Sequence, residues 1–138
     1  MVAREGRTSR CSEAQARVKL EQAREYLETA RLHSDAPSDS ASATVGASNA
    51  VSAGIAAADA ACCKALGRRS ASQDHQDAAA LLERIAPDGR SAATKLRRLV
   101  SEKTPVQYGV RNITRTKLAT MLRQAEGLVE FAERALAR

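Results

Sequence analysis

The fold of this chain is decided by the stretch Val51–Leu66, which is VSAGIAAADAACCKAL and is followed by Gly67. Its larger apolar side chains recur every three to four residues and predict a helix with one hydrophobic face; they are Val51, Ile55, Ala58, Cys62 and Leu66. The rest of the circumference is mostly Ala, Ser and Gly, so neighbouring helices could pack closely on more than one side. We therefore expect the central helix of a bundle, which begins after a cap at Ser38 or Asp39 and ends at Gly67.

Helical patterns on both sides of this stretch predict an all-α, up-and-down bundle of about five helices. The first helix begins after Ser12 as its N-cap, and its apolar stripe is Ala16, Leu20, Ala23, Leu27 and Ala30. A short third helix is expected at about residues 73–84 and a fourth at about 90–103, followed by an irregular link through Tyr108. Thr114 is the expected cap of the last helix. We expect residues 1–11 to be a disordered tail, residues 12–138 to form a single domain, and no strand to be present.

The composition agrees with a helical protein. One Phe, two Tyr and no Trp leave a core of Ala, Leu, Val and Ile to be built, and Ala is the best helix former. Neither His has a partner at metal-ligand spacing, and the chain has no Gly-rich phosphate loop. The sequence therefore indicates no metal and no cofactor.

Basic side chains are concentrated late in the chain. Eight of them lie between Arg90 and Lys117 against one acid, Glu102; the eight are Arg90, Lys95, Arg97, Arg98, Lys103, Arg111, Arg115 and Lys117. Charge concentrated in this way favours an anionic partner, which would meet one preferred face. The alternative is a solvated helix face that happens to favour Arg, as in many basic helical proteins.

The three cysteines, Cys11, Cys62 and Cys63, are odd in number, and two of them are adjacent. This pattern suits neither a disulfide framework nor a zinc site, so we expect reduced thiols, with Cys62 packed as a small apolar residue. A redox role for Cys63 has no supporting Cys or His at a useful spacing. No secretion signal or membrane span is visible in the sequence, and we expect a cytoplasmic protein.

Two segments together resemble the HEPN superfamily of helical nucleotide-binding domains. The first is a small-residue helix from Ala50, the turn at Gly67, and His75 leading a short helix with Leu81-Leu82. The second runs from Lys103 to Phe131, where a basic residue and Tyr108-Gly109 precede a Thr-capped helix. The resemblance covers about residues 13–137. It implies a cytoplasmic, often dimeric protein that binds or acts on RNA or nucleotides, with a nucleotidyltransferase or an antitoxin as a possible partner.

The resemblance also offers a catalytic pair. Active HEPN ribonucleases use an Arg that precedes a His by a few residues, and Arg69 and His75 have such a spacing. The His would act as general acid/base and the Arg would hold the scissile phosphate. However, the family motif belongs near residues 97–105, which contain no His, and Ser70 follows Arg69 where the family has an amide, acid or imidazole. The resemblance therefore implies a catalytically degenerate member.

Three other positions allow more than one role. Asp59 lies inside an otherwise small and apolar helix, and we expect a structural ion pair with Lys64 or with an Arg of a neighbouring helix rather than a functional carboxylate. His75 would aid the start of the third helix or be exposed. Tyr108 would close the end of the bundle, or alternatively stack on a base or hydrogen-bond a phosphate.

Three functions are consistent with these observations. The first is a non-catalytic HEPN-like module whose basic face binds RNA, a nucleotide or an acidic protein partner, with Arg97, Arg98, Lys103, Tyr108 and Arg111 as the anion-binding residues. The second is a metal-independent ribonuclease or toxin that uses Arg69 and His75 across a homodimer. The third is a structural helical bundle that dimerises or holds a partner.

Overall fold

A computed structural model describes residues 6–138, and it is an all-α bundle as the sequence predicts. Helix α1 is Glu13–Arg31 and α2 is Ala41–Leu66. The remaining helices are α3 Gln76–Leu82, α4 Gly89–Ser101, α5 Lys103–Tyr108 and α6 Arg115–Leu136. Two short strands, β1 Thr8–Arg10 and β2 Arg68–Ser70, pair antiparallel. Among the described residues, no helix is long and apolar enough to cross a membrane.

The predicted caps of α1 and α6 are confirmed. The Ser12 hydroxyl accepts from the Gln15 N–H, while the Gln15 side chain accepts from the Ser12 N–H, so two otherwise unpaired donors are satisfied. Thr114 accepts in the same way from Lys117 at the start of α6. These local polar contacts set the first residue of α1 and of α6 at the point where the apolar stripe of each helix begins.

Helix α2 is the central helix, because it contacts each of the other described helices. Its side chains are small enough for this: fourteen of its residues are buried, and most are Ala or Gly. At Gly54, an added Cβ would lie 2.6 Å from Leu99 Cδ1 and 3.1 Å from Leu128 Cδ1. The N-cap is Ser40, one or two residues after the predicted Ser38 or Asp39, and Gly67 ends the helix with a φ of 69° as predicted.

One segment predicted to be irregular is helical. The turn at Thr104-Pro105 was expected to end α4 and open a link, but residues 103–108 form the short helix α5 directly after α4. Proline is compatible with the first turn of a helix because its missing N–H would have no intrahelical partner there. The buried Val106 anchors this helix to the core.

The predicted disordered tail is wrong for residues 8–11. Thr8–Arg10 forms β1, with Thr8 opposite Ser70, Ser9 opposite Arg69 and Arg10 opposite Arg68. The sequence also predicted that no strand is present, and the same ladder shows that this prediction is wrong. The residues of β1 and β2 are mostly polar and show no alternating hydrophobic pattern that would predict a strand. The two strands also lie about 60 positions apart in the chain, so no local signal indicates that they pair. Residues 1–5 of the predicted tail lie outside the described residues.

The expectation of three reduced thiols is also wrong. Cys11 and Cys63 form a disulfide with their Cα atoms 5.3 Å apart, which fastens the residue after β1 to the last turn of α2. Cys62 lies outside this disulfide and is buried, as predicted. Two adjacent cysteines on a helix point in different directions, so one can pack in the core while the other pairs.

Candidate functional site

The basic residues predicted to bind an anion do not form one continuous unpaired surface. Arg97 on α4 forms an ion pair with Glu83 at 2.6 Å. Arg98 and Arg111 are exposed to solvent, and the Tyr108 side chain is 74% exposed. Tyr108 therefore does not close the end of the bundle as expected. Two more members of the basic stretch form ion pairs with acids: Lys117 with Glu102 and Arg115 with Asp35.

The fifth predicted residue, Lys103, lies elsewhere. It is the first residue of α5 and is half-buried, with its Nζ 3.1 Å from Nε2 of His75. His75 stands just before α3, but its side chain does not cap that helix, which corrects one of the roles expected for it. Burial and, second to it, the Lys103 charge lower the pKa of His75, so the neutral form of the ring is favoured.

Asp59 lies on the same side of α2 as this pair. Its expected partner, Lys64, instead pairs with Glu13 at the start of α1. Burial raises the pKa of Asp59 to about 6, and the charges of Arg69 and Lys19 only partly oppose this effect. A carboxyl group whose pKa is raised by desolvation and that lines a cleft is a candidate functional position.

Arg69 reaches the site from the middle of β2. Together with Asp59 and His75 it lines a cavity of about 140 Å³ between α2, β2 and α3. The two residues of the alternative catalytic pair are thus brought to one cavity, although they come from a strand and from the residue preceding a helix. Asp59 also lines a second cavity, of about 330 Å³, together with Lys19, Lys103 and Gln107.

The second cavity adjoins both the first and a third, because it shares lining residues with each of them. The third has a volume of about 730 Å³ and lies along α1, and it shares Gln22 and Tyr26 with the second. The second shares Ile55 and Asp59 with the first. We call the three together the α1–α2 trench. The two larger cavities each fall within the range of about 300–1,000 Å³ that small-ligand sites usually occupy.

Charge changes sign along the α1–α2 trench. The cations Lys19, Arg69 and Lys103 lie at one end, which we call the basic end, around the single carboxylate of Asp59. At the other end the lining includes Glu21 and Glu25 beside the exposed Val18. Arg24 also lines this end, and its guanidinium pairs with Glu133. An anionic group is therefore favoured at the basic end and disfavoured at the far end.

Two of the trench residues carry no signal in the sequence. Lys19 occupies a polar position on α1 that is indistinguishable from any solvated helix position, and Tyr26 lies outside the apolar stripe. Both line a cavity only because α1 packs against α2. The spacing of Arg69 and His75 is a usable signal, because the turn at Gly67 and the start of α3 confine both residues to one end of α2.

No protein-family model matches this chain, and no curated protein matches it significantly in sequence. The HEPN resemblance therefore remains a prediction that rests on the residues quoted for it.

Proposed function

We propose that this protein is a binding module that holds the phosphate of a nucleotide, or of the end of an RNA strand, at the basic end of the α1–α2 trench. The observation that carries the proposal is the convergence of Lys19, Arg69 and Lys103 from three elements on two adjacent cavities that share Asp59. Three cations and one carboxylate favour a phosphate group, especially because partial burial weakens the competition from water.

The rest of the trench contains side chains that could contact the base of such a ligand. The phenol ring of Tyr26 is 42% exposed and lines both larger cavities, so a base can lie against its face. Gln22 and Gln107 offer amide groups near it that can pair with the edge of a base. The acids at the far end disfavour a second phosphate there, which limits the ligand to one phosphate-bearing end.

Direct binding measurements test the proposal. A fluorescent single-stranded RNA oligomer is titrated against the wild type, Lys19→Glu, and the control Arg134→Glu. Arg134 is exposed on α6 and does not line the trench. A charge-assisted contact contributes about 1.5–3 kcal/mol, so Lys19→Glu should weaken binding by at least about tenfold and lower its salt dependence.

The same titration with Arg98→Glu separates the trench from the exposed basic face predicted from the sequence. Loss of binding in Arg98→Glu with retention in Lys19→Glu would place the ligand on α4 instead. An acidic protein partner on that face is the version of the function that such a result would favour.

A metal-independent ribonuclease is the second candidate, because Arg69, His75 and Asp59 line one cavity. One contact argues against it. An ammonium group can only donate, so the Lys103 contact occupies the lone pair of Nε2 in neutral His75, and that nitrogen cannot act as a base until Lys103 moves away. Cleavage of RNA by the wild type that is lost in His75→Ala would establish the enzyme; binding without cleavage would support the module.

We also propose that the protein forms a homodimer and has a nucleotidyltransferase or an antitoxin as its partner. These two proposals are tested by light scattering and by co-purification with the product of a neighbouring gene.

A further inference from the structure

Strand β1 is held to the rest of the molecule by two kinds of contact. The first is its three-residue ladder with β2, extended by hydrogen bonds from Cys11 N to Gly67 O at 3.0 Å and from Ala71 N to Arg7 O at 2.8 Å. The second is the disulfide from Cys11 to Cys63. An isolated two-stranded ladder this short is at best marginally stable in water, so the disulfide, as the covalent link beside it, contributes to holding β1 in place.

The position of Arg69 depends on how β1 is held. Arg69 is the central residue of β2 and stands directly opposite Ser9. In the described part of the chain, β1 is the strand that pairs with β2. If β1 leaves, β2 keeps its contacts with α2 and α3, but the backbone of Arg69 loses its ladder, and its guanidinium is no longer held by that ladder at the cavity that it shares with Asp59 and His75.

We propose that the Cys11–Cys63 disulfide is a thiol-exchange site that controls ligand binding: its reduction detaches β1 and removes Arg69 from the basic end of the trench. The inference rests on the proposed function, because it assigns a regulation to the same site. It gives the disulfide a role that the buried Cys62 does not share.

The reductant is a dithiol, either a small molecule or a protein with two neighbouring cysteines. One of its thiolates attacks Sγ of Cys11, which is the less buried of the two, since Cys63 is only 3% exposed. The protein S–S bond breaks, and the Cys63 thiolate leaves and takes up a proton. The second thiol of the dithiol then attacks the mixed disulfide and releases Cys11 as a thiol. Two electrons and two protons pass to the protein, and the dithiol becomes a cyclic or intramolecular disulfide.

The charge next to the bond does not block this reaction. Lys64 follows Cys63 and pairs with Glu13, which lies two residues after Cys11. Because this ion pair carries no net charge, it does not strongly repel an incoming thiolate. After reduction, the Lys64–Glu13 pair still holds the start of α1, so the change is confined to β1 and β2.

The experiment measures the affinity of fluorescent RNA for the oxidised full-length protein and for the same protein after treatment with dithiothreitol. Reduction should weaken binding by about tenfold, the amount expected for one lost charge-assisted contact. Cys11→Ser should bind like the reduced wild type in both conditions. The matched control, Cys62→Ala, should keep the redox response. Equal affinities of the oxidised and reduced wild type would overturn the inference.

Hydrogen exchange in the absence of ligand provides a second measurement. Reduction should remove protection from the amides of residues 8–10 and 68–70 and leave α2 and α6 protected. If the oxidised protein does not bind RNA at all, the proposed function fails, and exchange alone decides whether the disulfide controls Arg69. Unchanged protection in β2, or loss of protection throughout the bundle, would refute a local switch.

Discussion

Replacing Asp59 with Asn should make the protein more stable at neutral pH. Burial raises the pKa of this carboxyl from 3.8 to about 6, so the folded protein binds the proton more tightly than the unfolded chain does. Stability contributed by the protonated group is complete below about pH 4 and is lost as the pH rises through about 6. Above that range, the folded protein carries a half-buried carboxylate whose desolvation is only partly offset by the charges of Arg69 and Lys19.

The magnitude follows from the shift. One pKa unit corresponds to about 1.4 kcal/mol, so ionised Asp59 destabilises the fold by up to roughly 3 kcal/mol at about pH 8. At about pH 4.5 the same linkage predicts that ionisation of Asp59 destabilises the fold by only about 1 kcal/mol. Asn retains the shape but carries no charge. The stability difference between Asp59→Asn and the wild type should therefore grow by about 2 kcal/mol between these pH values, and the melting temperature at the higher pH should rise by roughly 10 °C.

Urea denaturation followed by circular dichroism, from about pH 4.5 to about pH 8, measures this difference. Glu130→Gln is the matched control, because Glu130 is exposed on α6 and its replacement should change stability by no more than about 0.5 kcal/mol at any pH. The reasoning would be refuted if Asp59→Asn were no more stable than the wild type at the upper end of the range, or if the difference were the same at both ends.

Three further outcomes are expected. Binding of an RNA phosphodiester should weaken severalfold as the pH rises through about 6, because ionised Asp59 repels the phosphate; fluorescence titration should show this pH dependence much reduced in Asp59→Asn. Lys103→Met should raise the pKa of His75, since the ammonium that opposes its protonation is gone; an NMR titration that shows no rise would contradict the contact. Gly54→Ala should destabilise the protein by about 1–3 kcal/mol, because the new Cβ would meet Leu99; an unchanged urea midpoint would mean that the core can yield there.

Features set by neighbouring residues were predictable from the sequence. Ser12, Gly67 and Thr114 end or begin helices through contacts within one turn, and their roles are confirmed. The buried stripes of α1 and α6 follow from a spacing that any helix imposes. The central position of α2 followed from its small side chains, because only such a helix can be approached from every side.

Features that join distant parts of the chain were not predictable. The β1–β2 ladder and the disulfide connect residues about 50 to 60 positions apart, and no local pattern marks either of them. The contact of Lys103 with His75 depends on the helix α5, where the sequence predicted an irregular link. Contacts between distant parts of the chain also decide where each basic side chain lies. The basic side chains between Arg90 and Lys117 therefore do not share one face: some form ion pairs, some are exposed, and Lys103 lines the trench.

The placement of Tyr26 gives this protein a natural optical reporter. The chain has no Trp and only two Tyr, so its near-ultraviolet emission comes from two phenol rings, Tyr26 in the trench and the solvent-exposed Tyr108. A Tyr108→Phe variant would leave a single emitter at the wall where a base is proposed to lie. Occupancy of that wall would then be followed in unlabelled protein as quenching of one fluorophore.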